Sequence, residues 1–152
     1  MVGLFFGYTH CPDFCPTTLA AFAQVMRQLG PDAERVQVLF VTLDPQRDTQ
    51  AVLARYVPAF EPRFLGLYAE GAATRRTAKE FRIFYQKEPG QRPGDYSLDH
   101  GSQSYVFDTE RALASVGARR RHRSGPAARH PRAAEGERLV ARGGRASAPC
   151  PL

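Results

Sequence analysis

Residues 4–19 read LFFGYTHCPDFCPTTL, and this stretch decides the fold. The run Val2–Phe6 is apolar without alternation, which predicts a short buried strand of the kind found in parallel sheets. Pro16 suits the first position of a helix, because its φ is already helical and its missing N–H is not needed there. We therefore expect Cys11 and Cys15 at a turn from a strand to a helix, with Cys15 at or beside the N-cap.

The position expected for Cys15 favours the thiolate. The unpaired N–H groups at the start of a helix and the positive end of its dipole stabilise an anion, which lowers a cysteine pKa. Two soft sulfurs at this place can ligate Cu(I) or oxidise to a disulfide. The third cysteine, Cys150, lies two residues from the end of the chain, and the odd count implies no disulfide framework.

Strand and helix patterns alternate after this stretch. Apolar residues recur at helical spacing from Leu19 to Leu29, and Gly30-Pro31 ends that helix. Further strands are predicted at residues 36–43, 64–68, 83–85 and 104–107, further helices at 49–60, capped by Asp48 or Thr49, and at 72–81, and a polar loop at 86–98. This alternation predicts an α/β sandwich with a central, mostly parallel sheet flanked by helices.

Charge divides the chain near residue 110. Residues 1–110 carry a net charge of −2, whereas residues 111–152 contain ten Arg, no Lys and two Glu, and their net +8 brings the whole chain to +6. The second segment is rich in Ala, Gly and Pro and has no apolar period, so it cannot bury enough surface to offset its chain entropy. We therefore predict one domain over residues 1–110 and a basic, disordered tail over residues 111–152.

The composition argues against two kinds of partner. The domain segment has no basic stripe interleaved with aromatic residues, so no specific nucleic-acid interface is expected. The tail has no aromatic residues and no amphipathic face, and it is interpreted as a passive extension or as the translation of a wrong reading frame. Neither a signal peptide nor a membrane span is expected in this chain.

Three motifs, in order, resemble those of the SCO/SenC family, the copper chaperones of cytochrome c oxidase assembly. They are Gly7–Pro16, Val41–Thr49 and Tyr96–Ser102, the last followed by a strand at 105–108. The resemblance covers about residues 3–110, and the order of three motifs makes it specific, whereas a lone CxxxC would be weak. It implies a thioredoxin-like fold.

This resemblance also implies the ligands of a copper ion, which fall at Cys11, Cys15 and His100 of this chain. The chemistry agrees, because thiolates select Cu(I), and imidazole suits Cu(I) or Cu(II). Three ligands leave an open side for transfer of the ion. A structural zinc site would close to four ligands, and the sequence has no second CxxC or paired histidines to complete one.

Other polar residues near the motifs have less specific interpretations. His10 is expected to be a neighbour of Cys11 rather than a ligand. Asp13 and Asp44 could tune the thiols or bind a partner, or they could be ordinary turn and cap residues. Arg47 and Asp48 are interpreted as a capping and ion-pair set.

The leading function that the resemblance implies is a metallochaperone for the binuclear copper centre of cytochrome c oxidase. Its partners would be the copper-centre subunit of the oxidase, other copper chaperones, or thioredoxin-like reductants. By family it would work on the periplasmic side of the bacterial inner membrane or in the mitochondrial intermembrane space. Two enzymatic alternatives remain open, a thiol–disulfide oxidoreductase that uses Cys11 and Cys15, and a peroxiredoxin-like peroxidase that uses Cys15 alone.

Departures from the family pattern concern the ends of the chain. Family members have a membrane anchor and a β-hairpin before the first motif strand, and a further strand and helix after residues 105–107. We expect this chain to lack them, so that the fold is incomplete at both ends. Gly101 replaces a usual serine and Thr109 a usual proline. The chain is interpreted as a truncated member that diverges, or is frame-shifted, after about residue 110.

Overall fold

The computed structural model describes residues 1–110 and 113–118. Seven strands are described: β1 (Val2–Gly7), β2 (Gln37–Thr42), β3 (Leu65–Leu67), β4 (Tyr85–Pro89), β5 (Tyr96–His100), β6 (Gln103–Phe107) and β7 (Leu113–Ala118). The helices are α1 (Phe14–Leu29), α2 (Gln50–Tyr56) and α3 (Gly71–Glu80), and a 3₁₀ helix, Gly30–Arg35, follows α1 directly.

Five of the strands form one sheet in the order β3-β2-β1-β6-β7. The β1–β2 and β2–β3 pairs are parallel, whereas β1–β6 and β6–β7 are antiparallel. The α/β class is therefore confirmed, but the sheet is mixed rather than mostly parallel. The reason is local: β1, β2 and β3 are joined through helices, while a hairpin follows α3 and returns the chain to the sheet in the opposite direction.

The core lies against the central strand β1. Four phenylalanines are fully buried in it, Phe5, Phe6, Phe40 and Phe64. Burial of each such side chain stabilises the fold by roughly 1.5–3 kcal/mol relative to exposure. Helix α1 packs on β1 at Gly3, where an added Cβ would lie 3.3 Å from the ring of Phe22.

Helix α1 begins earlier than the sequence pattern predicts. Asp13 is its N-cap and Phe14 its first residue, so Cys15 lies inside the first turn, and Pro16 is the third helical residue rather than the first. The end of α1 is confirmed at Gly30, whose φ of 55° is in the region that favours glycine. Helix α2 is capped by Thr49, whose hydroxyl oxygen accepts a hydrogen bond from the Val52 N–H.

The predicted loop at residues 86–98 is wrong. Strands β4 and β5 pair there as an antiparallel hairpin, with Tyr85 opposite His100, and form a separate two-stranded sheet. Most side chains of β4 are exposed, so its polar sequence carries no apolar alternation that would reveal a strand. His100 therefore ends a strand rather than lying in a loop.

The predicted domain boundary at residue 110 also needs correction. Residues Leu113–Ala118 form β7, which pairs with β6 along its outer edge. The expected disorder is therefore wrong for these six residues, and the C-terminal end of the sheet has a further strand. Backbone pairing to an exposed strand edge needs no long apolar run, so composition did not reveal it. The rest of the predicted tail lies outside the described residues.

Candidate metal centre

Three side chains meet at one end of β1. The Sγ atoms of Cys11 and Cys15 and a ring nitrogen of His100 all lie within 4.8 Å of one another, close enough to share one metal ion. Cys15 Sγ and His100 Nε2 are 3.6 Å apart. Cys15 and His100 are buried, whereas Cys11 is partly exposed. The arrangement therefore combines two buried residues with one partly exposed cysteine.

Gly7 makes room for this cluster at the end of β1. A Cβ at this position would lie 2.7 Å from Cys15 Sγ and 2.9 Å from the ring of Phe40. Real Cβ atoms essentially never approach another atom so closely, so a larger residue would displace the sulfur. The glycine is thus explained by close packing against the thiol.

Contacts of both ring nitrogens and of two neighbouring aromatic rings hold the imidazole of His100 in place. Nδ1 lies 2.8 Å from the Gly101 carbonyl oxygen, so a proton at Nδ1 would be donated there. Nε2 would then present its lone pair toward Cys15, which is the tautomer that a metal ligand needs. Tyr8 and Phe14 pack edge-to-face on the imidazole, with ring centroids 5.8 and 6.0 Å away.

The two thiols have opposite acidities. The pKa of Cys11 is lowered from 9.0 to about 4, chiefly by a hydrogen bond with the Cys15 thiol and also by hydrogen bonds with the His100 ring and with backbone N–H groups, against the effect of burial. The same hydrogen bond, burial and the charge of Cys11 raise the pKa of Cys15. The pair therefore shares one proton at neutral pH, and Cys11 carries the negative charge.

The prediction that Cys15 is the thiolate is accordingly wrong. The N–H of Cys15 lies in the first turn of α1, where helix N–H groups have no partner within the helix. It donates instead to Cys11 Sγ over 3.3 Å. The helix start thus stabilises the cysteine that precedes it, because an N-terminal N–H points outward along the axis toward the residue before the helix. The start of the helix does stabilise a thiolate, as expected, but that thiolate is Cys11.

Neighbouring residues take the lesser roles that the sequence indicated. His10 is outside the cluster: its Nδ1 lies 3.1 Å from Thr9 Oγ1, and its side chain is 55% exposed. Asp13 is the N-cap of α1, although its side chain caps no N–H, and its carboxylate accepts a hydrogen bond from the Thr17 hydroxyl.

A buried carboxylate that sequence reasoning undervalued lies behind the cysteine loop. Asp48 is 0% exposed, and it accepts hydrogen bonds from the N–H and hydroxyl of Thr9, at 3.0 and 2.6 Å, and from the Thr42 hydroxyl at 2.7 Å. It therefore ties the turn before Cys11 to the end of β2. Its distance along the chain from Thr9, 39 residues, hides this role in the sequence.

Asp44 is also buried, and its carboxylate contacts Arg47 and the hydroxyl of Tyr96. The interpretation of Asp44 as a plain turn residue is therefore incomplete. The expected ion pair of Arg47 is with Asp44, not with Asp48.

No helix within residues 1–110 is long and apolar enough to cross a bilayer.

Comparison with known proteins agrees with this geometry. The family model described as SCO1/SenC matches residues 1–130, past the boundary expected at residue 110. The Bos taurus protein SCO2 homolog, mitochondrial, is 42% identical over 109 residues, which are 70% of this chain and 41% of that protein. The chain thus spans less than half the length of that relative.

Two solved structures share the fold. The structure of Bradyrhizobium japonicum ScoI with copper bound is similar with a TM-score of 0.71 and 37% identity, covering 76% of this chain and 73% of that one. The solution structures of apo Sco1 from Thermus thermophilus give a TM-score of 0.69 and 46% identity, with 77% and 68% covered. The thioredoxin-like expectation is therefore confirmed.

Proposed function

This chain belongs to the SCO1/SenC family, and from that premise we propose that it is a copper metallochaperone that holds its cargo through Cys11, Cys15 and His100. The observation that carries the proposal is that the three donor atoms lie within 4.8 Å of one another. They do so although 85 residues separate Cys15 from His100 along the chain. The copper in the Bradyrhizobium japonicum relative supports the choice of metal.

The donor set fits Cu(I). Thiolate sulfur is the soft ligand that Cu(I) prefers, and imidazole binds copper as Cu(I) or Cu(II). Metal binding releases the proton of Cys15, and Cys11 is already a thiolate at neutral pH because its pKa is about 4. The partly exposed sulfur of Cys11 gives an incoming ligand from a partner a place to attack, so copper can leave by stepwise ligand exchange.

The receiving partner that we propose is the copper-centre subunit of cytochrome c oxidase. Other copper chaperones would supply the ion, and thioredoxin-like reductants would keep Cys11 and Cys15 reduced. The proposed place of action is the periplasmic side of the bacterial inner membrane or the mitochondrial intermembrane space. Mitochondrial SCO homologues among the relatives support a location of this kind.

An anaerobic Cu(I) titration against a competing chromophoric chelator tests the site. We expect the reduced protein to hold one equivalent, His100→Ala to weaken binding and Cys15→Ser to abolish it. Cys150→Ser is the matched control, because Cys150 is not one of the proposed ligands, and this variant should bind copper as the unmodified protein does. A folded protein that retains no copper would contradict the chaperone proposal.

The second candidate function, a thiol–disulfide oxidoreductase, is favoured by one observation. Cys11 is a partly exposed thiolate beside a buried, protonated Cys15, which is the arrangement of an attacking and a resolving thiol. Cys11 would attack a partner disulfide, and Cys15 would release the partner as a dithiol while a Cys11–Cys15 disulfide forms. His100→Ala separates the two functions, because copper retention loses a ligand, whereas disulfide exchange needs only the two thiols and the hydrogen bond with Cys15 remains the largest cause of the low pKa of Cys11.

The peroxidase alternative is not supported by the acidities of the thiols. It would need Cys15 as an accessible thiolate that attacks peroxide, because the thiolate is the nucleophile. Cys15 is instead 0% exposed, and its pKa is raised. Turnover of hydrogen peroxide by Cys11→Ser in the presence of a reductant would be the result that favours this alternative.

A further inference from the structure

The third donor of the site is carried by a separate part of the fold. Cys11 and Cys15 follow β1 of the five-stranded sheet, whereas His100 ends β5 of the β4–β5 hairpin, which forms its own two-stranded sheet. No ladder between described strands joins the two sheets. On one side His100 is joined to β6 of the main sheet by residues 101–102. The distance from His100 to the sulfurs therefore depends on this link and on how the rest of the hairpin is attached.

One attachment is a set of hydrogen bonds between Tyr96, the first residue of β5, and the loop after β2. The Tyr96 hydroxyl donates to both carboxylate oxygens of Asp44, over 2.7 and 3.0 Å. Arg47 Nη1 donates to the Tyr96 carbonyl oxygen over 3.0 Å, and Arg47 Nε donates to Asp44. Asp44 is 1% exposed, so water competes little for its oxygens.

Contacts with aromatic rings connect the hydrogen bonds of Asp44, Arg47 and Tyr96 to His100. The Arg47 guanidinium lies 3.6 Å from the centre of the Tyr96 ring and 5.7 Å from that of Tyr8. The Tyr8 ring in turn packs edge-to-face on His100. Tyr8 also has a hydrogen bond with the backbone of Leu98, two residues before the histidine. The contacts therefore run without a gap from Asp44 to the imidazole.

A turn role does not account for the Asp44 side chain. The turn after β2 is closed by the Asp44 carbonyl oxygen, which accepts from the N–H groups of Arg47 and Asp48. That function uses the backbone alone. The carboxylate is instead used by Arg47 and by Tyr96, which lies 52 residues further along the chain.

We propose that Asp44, Arg47 and Tyr96 are positioning residues that hold the hairpin so that His100 reaches the metal held by Cys11 and Cys15. The inference rests on the proposed function, since it concerns the third ligand of that site. None of the three residues ligates the ion. They act on its affinity through the placement of His100.

The test is a double-mutant cycle on Cu(I) affinity in the reduced protein. Tyr96→Phe, which removes one hydroxyl, should weaken binding about tenfold, as loss of a residue that orients a metal ligand does. In a His100→Ala background the same change should cause no further weakening, because the ligand it positions is gone. Additive effects, or an unchanged affinity in Tyr96→Phe, would overturn the proposal.

Tyr105→Phe is the matched control. Its hydroxyl donates to the Phe81 carbonyl oxygen, so the variant also loses a partly buried tyrosine hydrogen bond, but not one that holds the hairpin. We expect its copper affinity to equal that of the unmodified protein. An equal loss of affinity in Tyr105→Phe and Tyr96→Phe would indicate general destabilisation and contradict a positioning role.

Hydrogen exchange in the metal-free protein supplies a readout that does not depend on copper. Tyr96→Phe should speed exchange of the β4 and β5 amides while those of β1 and β2 stay protected. If His100→Ala leaves copper binding intact, the proposed ligand set fails, and exchange alone then decides whether Tyr96 holds the hairpin. Faster exchange confined to the hairpin supports that role, and unchanged exchange contradicts it.

Discussion

The backbone N–H of Cys15 lies 3.3 Å from the sulfur of Cys11, so the start of α1 is directed at the cysteine outside the helix. The charge of the dithiol pair is therefore on the partly exposed sulfur. Both proposed activities use this asymmetry, because the accessible thiolate is where copper is exchanged or where a disulfide is attacked.

The acidity of Cys11 predicts selective alkylation of the metal-free, reduced protein. Because its pKa is lowered to about 4, Cys11 is a thiolate throughout pH 6–8 and its reactive fraction falls only as the pH drops through about 4. Cys15 should stay unmodified in the folded protein, since it is buried and its pKa is raised. Iodoacetamide labelling followed by peptide mass spectrometry at several pH values measures both.

Cys11→Ser provides the comparison for this experiment. It removes the main group that raises the pKa of Cys15, so Cys15 should become more reactive than in the unmodified protein. Equal labelling of Cys11 and Cys15 in the unmodified protein at pH 6 would contradict the assigned asymmetry.

Replacement of Asp48 should destabilise the fold and loosen the cysteine loop. Asp48→Ala leaves the buried hydroxyl of Thr42 and two partly buried donors of Thr9 without their acceptor. An unsatisfied buried donor costs about 1–3 kcal/mol, so we expect a loss of roughly 3 kcal/mol in the free energy of unfolding. Urea denaturation of the metal-free protein measures it, and Thr9→Val, which removes one hydroxyl donor and keeps the carboxylate, should lose less.

Gly7→Ala should impair copper binding more than its small size suggests. The new methyl group would lie 2.7 Å from Cys15 Sγ and must displace the sulfur, which now lies 3.6 Å from His100 Nε2. Overpacking of this kind costs about 1–3 kcal/mol of stability. Gly3→Ala is the control, because its Cβ would meet the Phe22 ring at 3.3 Å, far from the thiols. Equal copper affinities of the two variants would show that Gly7 does not limit the site.

Removal of β7 tests the corrected boundary of the domain. A chain that ends at residue 110 loses every pairing between β6 and β7, whereas a chain that ends at residue 121 keeps them. At roughly 1 kcal/mol per hydrogen bond, the shorter chain should be less stable by on the order of 3 kcal/mol. Thermal melts of the two chains compare them, and identical midpoints would place the boundary at residue 110 after all.

Local sequence patterns were sufficient for the elements that depend on near neighbours. The apolar run before Gly7, the helical spacing after Cys15 and the glycine at the end of α1 each specify structure through contacts a few residues apart. The polar β4–β5 hairpin could not be found in this way, because its strands are specified by pairing with each other and its side chains are mostly exposed.

The sequence by itself determined that two cysteines lie where a strand turns into a helix, since strand and helix preferences act within that one stretch. Only the tertiary structure decided that His100, 85 residues beyond Cys15, comes within 3.6 Å of its sulfur. It also decided that Cys11 rather than Cys15 carries the charge. Both outcomes depend on burial and on contacts between distant segments, and these exist only once the chain has folded.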